Sequence, residues 1–314
     1  MSNNSRILYI THDSHVPSGG VKTIYSHVSH LVKNGYPAFV VHNQTGFKPP
    51  WLECDVPILY SADKDFQLSQ KDIIVIPEDY RAALEALREI NIKKYIFCQN
   101  HFYIFKGLQK DSTWADLDID VFCSSEIINI FLQSVFNYDR VPVIHCAIHL
   151  ELFKPRKKKL QIAYMPRKRP AELDFIRNLF NRLYKQYKEV PWICIDKVNE
   201  AKVAEILSES AIFLSTSLYE GFGLPPIEAM ACGCVVVGFH GGGGLEYASS
   251  ENGYWCEEGN IIKCVRTLGH VISNIENNDE KVNKVRNQAL KKAGEYTFDR
   301  QEKEILDFWS NVYK

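Results

Sequence analysis

Residues 211–246 read AIFLSTSLYEGFGLPPIEAMACGCVVVGFHGGGGLE, and this stretch decides the fold. Its first six residues, AIFLST, are apolar and β-branched and too short for an ordinary helix, so they predict a strand. Ser215, Thr216 and Ser217 lie at the carboxyl end of that strand. Glu220-Gly221-Phe222-Gly223 then predicts a loop whose small residues let backbone N–H groups approach a ligand. Pro225 and Pro226 suit a helix start, Ile227 to Cys232 is helix-compatible, and Gly233 is placed to cap the helix before the buried strand CVVVGF. A helix N-terminus therefore faces the crevice beyond a strand's carboxyl end. In open α/β sheets that position favours anions, because unpaired N–H groups and the helix dipole both attract negative charge.

Glu220 falls in the loop and Glu228 in the first helical turns, so both carboxylates are able to point into one crevice. Two carboxylates beside a phosphate-friendly loop suggest a ligand with hydroxyls as well as phosphate, that is, a sugar nucleotide. The plainer reading is that Glu228 complements the helix dipole and Glu220 is a solvated loop residue.

The run EGFGLPPIEAMACG resembles the donor-site signature of the family 4 glycosyltransferases, retaining enzymes with the GT-B fold. The resemblance implies an α/β protein of two Rossmann-like, doubly wound domains facing across a cleft. It also implies that Glu220 contacts the transferred sugar, Glu228 holds the ribose hydroxyls, and the backbone of Gly221, Phe222, Gly223 and Leu224 meets the sugar and diphosphate. Ser217 matches the small hydroxyl residue that precedes the first glutamate by three. The substrate is then a nucleoside diphosphate sugar, with no cofactor and no metal.

Working outward, the 314 residues suit two domains of ordinary size, and 46% hydrophobic with 24% charged residues describes a globular chain able to bury real cores. No run of eighteen apolar residues suggests a membrane span. MSNNSR leads straight into a strand without a signal-peptide pattern, which gives a cytoplasmic expectation. The nine cysteines lack a small-domain spacing and fall mostly in apolar segments, as expected of reduced, buried thiols; Cys232-Gly233-Cys234 has no second Cys/His pair to complete a metal site. Residues 1–152 carry 13 basic against 17 acidic side chains and residues 153–314 carry 24 against 21, far from a nucleic-acid binder.

The amino-terminal segment RILYI predicts a strand, followed by a loop with Gly19 and Gly20, an amphipathic helix ending at Gly35, and the strand PAFVVH. Gly19-Gly20 is not a dinucleotide fingerprint. In the resembled family a glycine pair here lets the loop approach the donor diphosphate or the acceptor; a tight strand-to-helix turn is the alternative. Residues 43–70 predict loop, DIIVIP a strand, RAALEALREI a helix and IKKYIFCQN a strand. His101, just beyond that strand, is placed either to orient the acceptor or hold a donor hydroxyl, or to be a surface loop histidine. DLDID at 116–120 precedes its strand, the wrong end for the metal-binding D-x-D of the other large glycosyltransferase fold. Ser124-Ser125 caps the helix EIINIFLQSVF.

VPVIHCAIHLELFKP resembles the family's inter-domain connector. It divides the chain into an acceptor-side domain at 1–152, a nucleotide-sugar domain at 153–296 and a last helix at 297–314 that crosses back. The basic run 156–159 reads either as a weak attraction to anionic lipid, giving a peripheral position at the inner membrane face, or as a solvated linker. Arg167 matches the family's diphosphate arginine, preceded by Pro166 where the family has glycine. The family lysine falls near Glu172, so Lys168 or Arg169 stands in for it, or both are loop charge; a guanidinium suits the task because it grips two phosphate oxygens. The four-glycine turn at 241–244 reads as flexible enough to close over a ligand.

These readings predict a cytoplasmic glycosyltransferase that moves a sugar to a hydroxyl of a glycan or lipid-linked acceptor in polysaccharide or glycoconjugate synthesis. Arg167, Lys168 and the helix near Pro225 would stabilise the leaving diphosphate. The rivals are a non-catalytic nucleotide-sugar binding module and a sugar-nucleotide epimerase on the same fold.

Overall fold

The computed structural model describes residues 5–109 and 112–313, so the first four residues of the amino-terminal reading lie outside it. Two compact units emerge, Met1–Ala147 with Asp299–Lys314, and Ile148–Phe298.

In the first unit, β1 (Ile7–Ile10) leads through a loop to α1 (Gly19–Lys33), whose N-cap Ser18 accepts from the amide of Val21. The sequence continues as β2 (Ala38–His42), β3 (Ile58–Tyr60), β4 (Ile73–Pro77), α2 (Arg81–Leu87), β5 (Lys93–Cys98), α3 (Ile104–Gly107), β6 (Asp120–Cys123) and α4 (Glu126–Phe136). β3 lies inside the stretch expected to be loop. It is a three-residue edge strand, half-buried throughout, and too short to show a periodic pattern. The strands pair in parallel in the order β3-β2-β1-β4-β5-β6, so the order reverses at β1. Ile7, Tyr9, Val28, Val75 and Phe97 form one core cluster of this unit.

The second unit runs β7 (Lys159–Tyr164), α5 (Pro170–Leu183), β8 (Trp192–Cys194), α6 (Glu200–Glu209), β9 (Ser210–Glu220), α7 (Leu224–Ala231), β10 (Val235–Gly242), β11 (Tyr254–Trp255), α8 (Ile261–Glu276) and α9 (Glu280–Ala293). Its parallel order is β11-β10-β9-β7-β8. The chain leaves β7 towards β8 and returns on the other side at β9, so the crevice of this sheet opens between the carboxyl ends of β7 and β9. β9 is buried through its first eight residues, as a central strand covered on both faces must be. It extends beyond the six residues expected, because β10 pairs with it as far as Gly242 opposite Glu220.

The last helix, α10 (Phe298–Val312), belongs to the first unit. Ile305 and Trp309 are fully buried in its core, and the Trp309 indole donates to Tyr9 Oη at 3.2 Å.

Candidate active site

At the β7/β9 reversal the two segments singled out separately in the sequence meet. Lys168 Nζ lies 3.3 Å from Glu220 Oε1, and each side chain is largely but not wholly covered. Arg167, the preceding residue, is exposed. Arg169, the other candidate for the missing family lysine, is committed elsewhere. Its Nε donates to Ser217 O at 3.0 Å, its Nη1 to Glu172 at 2.9 Å and its Nη2 to Glu258, and its guanidinium lies 4.9 Å from the Phe239 ring centre. Only 5% of that side chain is exposed.

Glu220 owes its aim to an irregularity in the ladder. Ser217 pairs with His240 and Glu220 with Gly242, so β9 spends one residue more than β10 over the same span. Tyr219 takes up the excess at φ 53°, and on β10 Gly241, at φ 67°, lies against Ser217 and Leu218. Such a bulge bends the strand and re-aims the side chain that follows.

Beyond Glu220 the chain turns through Gly221 and Phe222 to Gly223, at φ 86°, which caps α7. The turn is held by Tyr247, whose hydroxyl donates to Gly223 O at 2.5 Å, and by Phe222 packed between Tyr247 and Tyr296. Leu224 opens the helix, followed by the two prolines, which carry no N–H of their own. The amides of residues 221–224 thus sit at a helix start that favours negative charge. Glu228 is buried, 7% exposed, and lies beyond the first turn, past the reach of a simple dipole complement.

The four glycines correct an expectation. A Cβ on Gly241 would lie 2.8 Å from that of Ser217, and one on Gly243 would lie 2.4 Å from Glu220 O and Gly221 C. The turn is pressed backbone to backbone against residues 217–222, so glycine serves close packing here and not mobility. Ser217 is buried as well, its hydroxyl 3.1 Å from that of Ser215.

The remaining sequence candidates belong to the first unit. Gly19 and Gly20 open α1, and a Cβ on Gly20 would stand 3.4 Å from the Gln99 side chain. His101 is no surface histidine. It is 9% exposed, with ring contacts to Phe102 at 4.1 Å and Phe131 at 4.9 Å, and burial pushes its pKa down to about 4. Its Nδ1 has no hydrogen-bond partner.

Other polar groups at this rim were missed by sequence reasoning. His12, after β1, pairs with Asp79 at 2.9 Å and stacks on Tyr80 at 4.3 Å. Glu78, after β4, accepts from the amide of Gln99 at 2.9 Å, and burial raises its carboxyl pKa to about 8. The signal that finds them is strand order, since β1 and β4 flank the reversal.

In the run 156–159, Arg156 and Lys157 are exposed and the two lysines that follow are engaged. Lys158 donates to Leu207 O at 3.0 Å and Lys159 to Glu209 at 2.5 Å. Among the described residues no helix is long and apolar enough to cross a membrane, and no group of three or more His, Cys, Asp and Glu side chains is placed to hold a metal. Cys232 and Cys234 are both buried in the core, unpaired with each other.

Residues 183–292 match the family model described as glycosyl transferases group 1. The chain is 26% identical over 261 residues to an alpha-1,6-glucosyltransferase of Actinobacillus pleuropneumoniae serotype 7, covering 80% of this chain and 78% of that protein. Among solved structures it is similar to a glycosyltransferase from Rickettsia africae, with a TM-score of 0.73, 14% identity and full coverage of both chains. It is also similar to Anabaena HepE, solved in complex with UDP-glucose, with a TM-score of 0.70, 15% identity and coverage of 98% and 99%. At such identities the solved structures speak for the fold, which is of the GT-B class with two Rossmann-like units. The family match and the relative support glycosyltransferase activity.

Proposed function

We propose that the protein transfers a sugar, with retention, from a nucleoside diphosphate sugar to a hydroxyl of a glycan or lipid-linked acceptor. The observation that carries this reading is the meeting of Lys168 with Glu220 at the strand-order reversal of the second sheet, beside the N-terminus of α7. A cation, a carboxylate and a helix start at one crevice suit a ligand that is anionic at one end and rich in hydroxyls at the other.

In this reading Glu228 holds the ribose hydroxyls and Glu220 the transferred sugar. As the glycosidic bond breaks, the sugar gains oxocarbenium character and negative charge builds on the leaving diphosphate. Arg167, Lys168 and the amides at the start of α7 meet that charge, so the reaction proceeds without added metal. The first unit supplies the acceptor side, where the neutral, buried His101 orients the acceptor or holds a donor hydroxyl. UDP-glucose is the donor to try first, since the relative's name specifies glucosyl transfer and HepE was solved with that nucleotide sugar.

A panel of UDP-, GDP- and dTDP-sugars tests the proposal, with nucleotide release followed with and without cell-envelope acceptors and with EDTA present. Acceptor-dependent release that resists EDTA is the expected result. Binding without release supports a recognition module, and acceptor-independent interconversion of the sugar supports an epimerase. Failure of every donor to bind overturns the reading.

A further inference from the structure

We infer that Arg169 and Glu258 are a positioning pair that sets the diphosphate grip without touching the ligand. This rests on the donor-site reading above.

The bulge that aims Glu220 has a local consequence. Where β9 and β10 fall out of register, between His240 and Gly242, the ladder ceases to serve every backbone group. Buried backbone groups need partners, and an orphaned one costs as much as a lost hydrogen bond. Side chains take over here. Ser217 O receives Arg169 Nε at 3.0 Å, and the Gly241 amide donates to Glu258 Oε1 at 2.8 Å. The other Glu258 oxygen closes on Arg169 Nη2. One charged pair therefore joins the ends of three strands. Arg169 lies in the loop after β7, Ser217 near the carboxyl end of β9 and Gly241 near that of β10.

The pair matters for the ligand because of its neighbours in sequence. Lys168 is the residue before Arg169, and Glu220 is three residues after Ser217. Tying Arg169 to Ser217 therefore fixes the separation at which Lys168 meets Glu220. Arg169 Nη1 also holds Glu172, but that contact is internal to the start of α5 and joins no second strand. Lysine at position 169 would carry the charge but not the fork, which makes three differently directed contacts here.

Calorimetric titration of the full chain with UDP and UMP, or with the diphosphate and monophosphate of whichever base the donor panel selects, separates this role from general stability. Glu258→Gln is expected to weaken UDP binding about tenfold and to leave UMP binding within about twofold. Arg169→Lys is expected to show the same selective loss. Glu172→Gln removes an identical charge from the same guanidinium but no inter-strand tie, and is expected to leave both affinities within about twofold. Equal losses for UDP and UMP, no loss in Glu258→Gln, or a matching loss in Glu172→Gln would each overturn the positioning role. A wild-type chain that binds neither nucleotide overturns the donor site itself, a different result from a wild-type chain that binds while its variants are unchanged.

Discussion

Both sheets are parallel and both reverse their strand order, yet the groups at the two reversals differ in kind. In the second sheet a lysine, preceded in the chain by an exposed arginine, stands beside a carboxylate and a helix start, and the strand ends are pressed together through glycine. In the first sheet the corresponding positions hold the His12–Asp79 pair, a buried carboxyl pushed up to about 8 and a histidine pushed down to about 4. The second rim is suited to holding fixed negative charge. In the first, burial drives Glu78 and His101 towards their neutral forms. The lesson is that one architecture specialises each rim through burial and backbone approach more than through net charge.

The largest expected effect comes from adding a methyl group inside the second sheet, where β10 lies against β9 below the rim. Gly238 has φ 125°, and a Cβ there would lie 2.2 Å from Ser215 O, so Gly238→Ala is expected to cost about 4 kcal/mol in denaturant unfolding. Next in size, Glu220→Ala should lower turnover about 100-fold while nucleotide affinity stays within a few-fold, as steady-state kinetics beside calorimetry would reveal. Glu228→Ala should do the reverse, weakening nucleotide binding about tenfold. Equal and negligible effects from the two carboxylates would remove the distinction between the rims.

The first rim is tested by pH. Glu78 has its pKa raised from 4.5 to about 8 by burial, so the folded state holds its proton more tightly than the unfolded chain does. Its contribution to stability is full below 4.5 and is lost as pH rises towards about 8. His101 and His27 act oppositely. Their pKa values are lowered from 6.5 to about 4 and about 3, so their contribution is present above 6.5 and is lost as pH falls. Between pH 6.5 and 8 the Glu78 effect acts without theirs, and the unfolding free energy of the wild type should decline with pH relative to that of Glu78→Gln. The smallest effect concerns the bulge. Tyr219 is exposed and sits at φ 53°, where Tyr219→Gly relieves backbone strain and should change stability by no more than about 1 kcal/mol.

How much of this could be read in the sequence depended on whether the signal was local. The start of α7 announces itself through adjacent glycines and prolines, and Glu220 and Glu228 follow from their places around it. The bulge does not, because Tyr219 looks like any loop tyrosine until β10 is laid against β9. Glu258 lies far along the chain from Arg169, and neither residue names the other. The glycine turn was misread as mobile because glycine permits freedom and close approach alike, and only the neighbouring backbone tells which is in use. His12 and Asp79 stayed hidden for a related reason, since their pairing requires knowing that β1 and β4 are neighbours.

The burial of α10 in the first unit bears on how the chain is made. Residues 148–298 form an uninterrupted unit and are able to fold as they leave the ribosome, whereas the first unit has Tyr9 waiting for Trp309. Domains generally complete in the order of their synthesis. Here the unit begun first is finished last, and until then the face of its core that α10 will cover stays open to whatever chaperone meets nascent apolar surface.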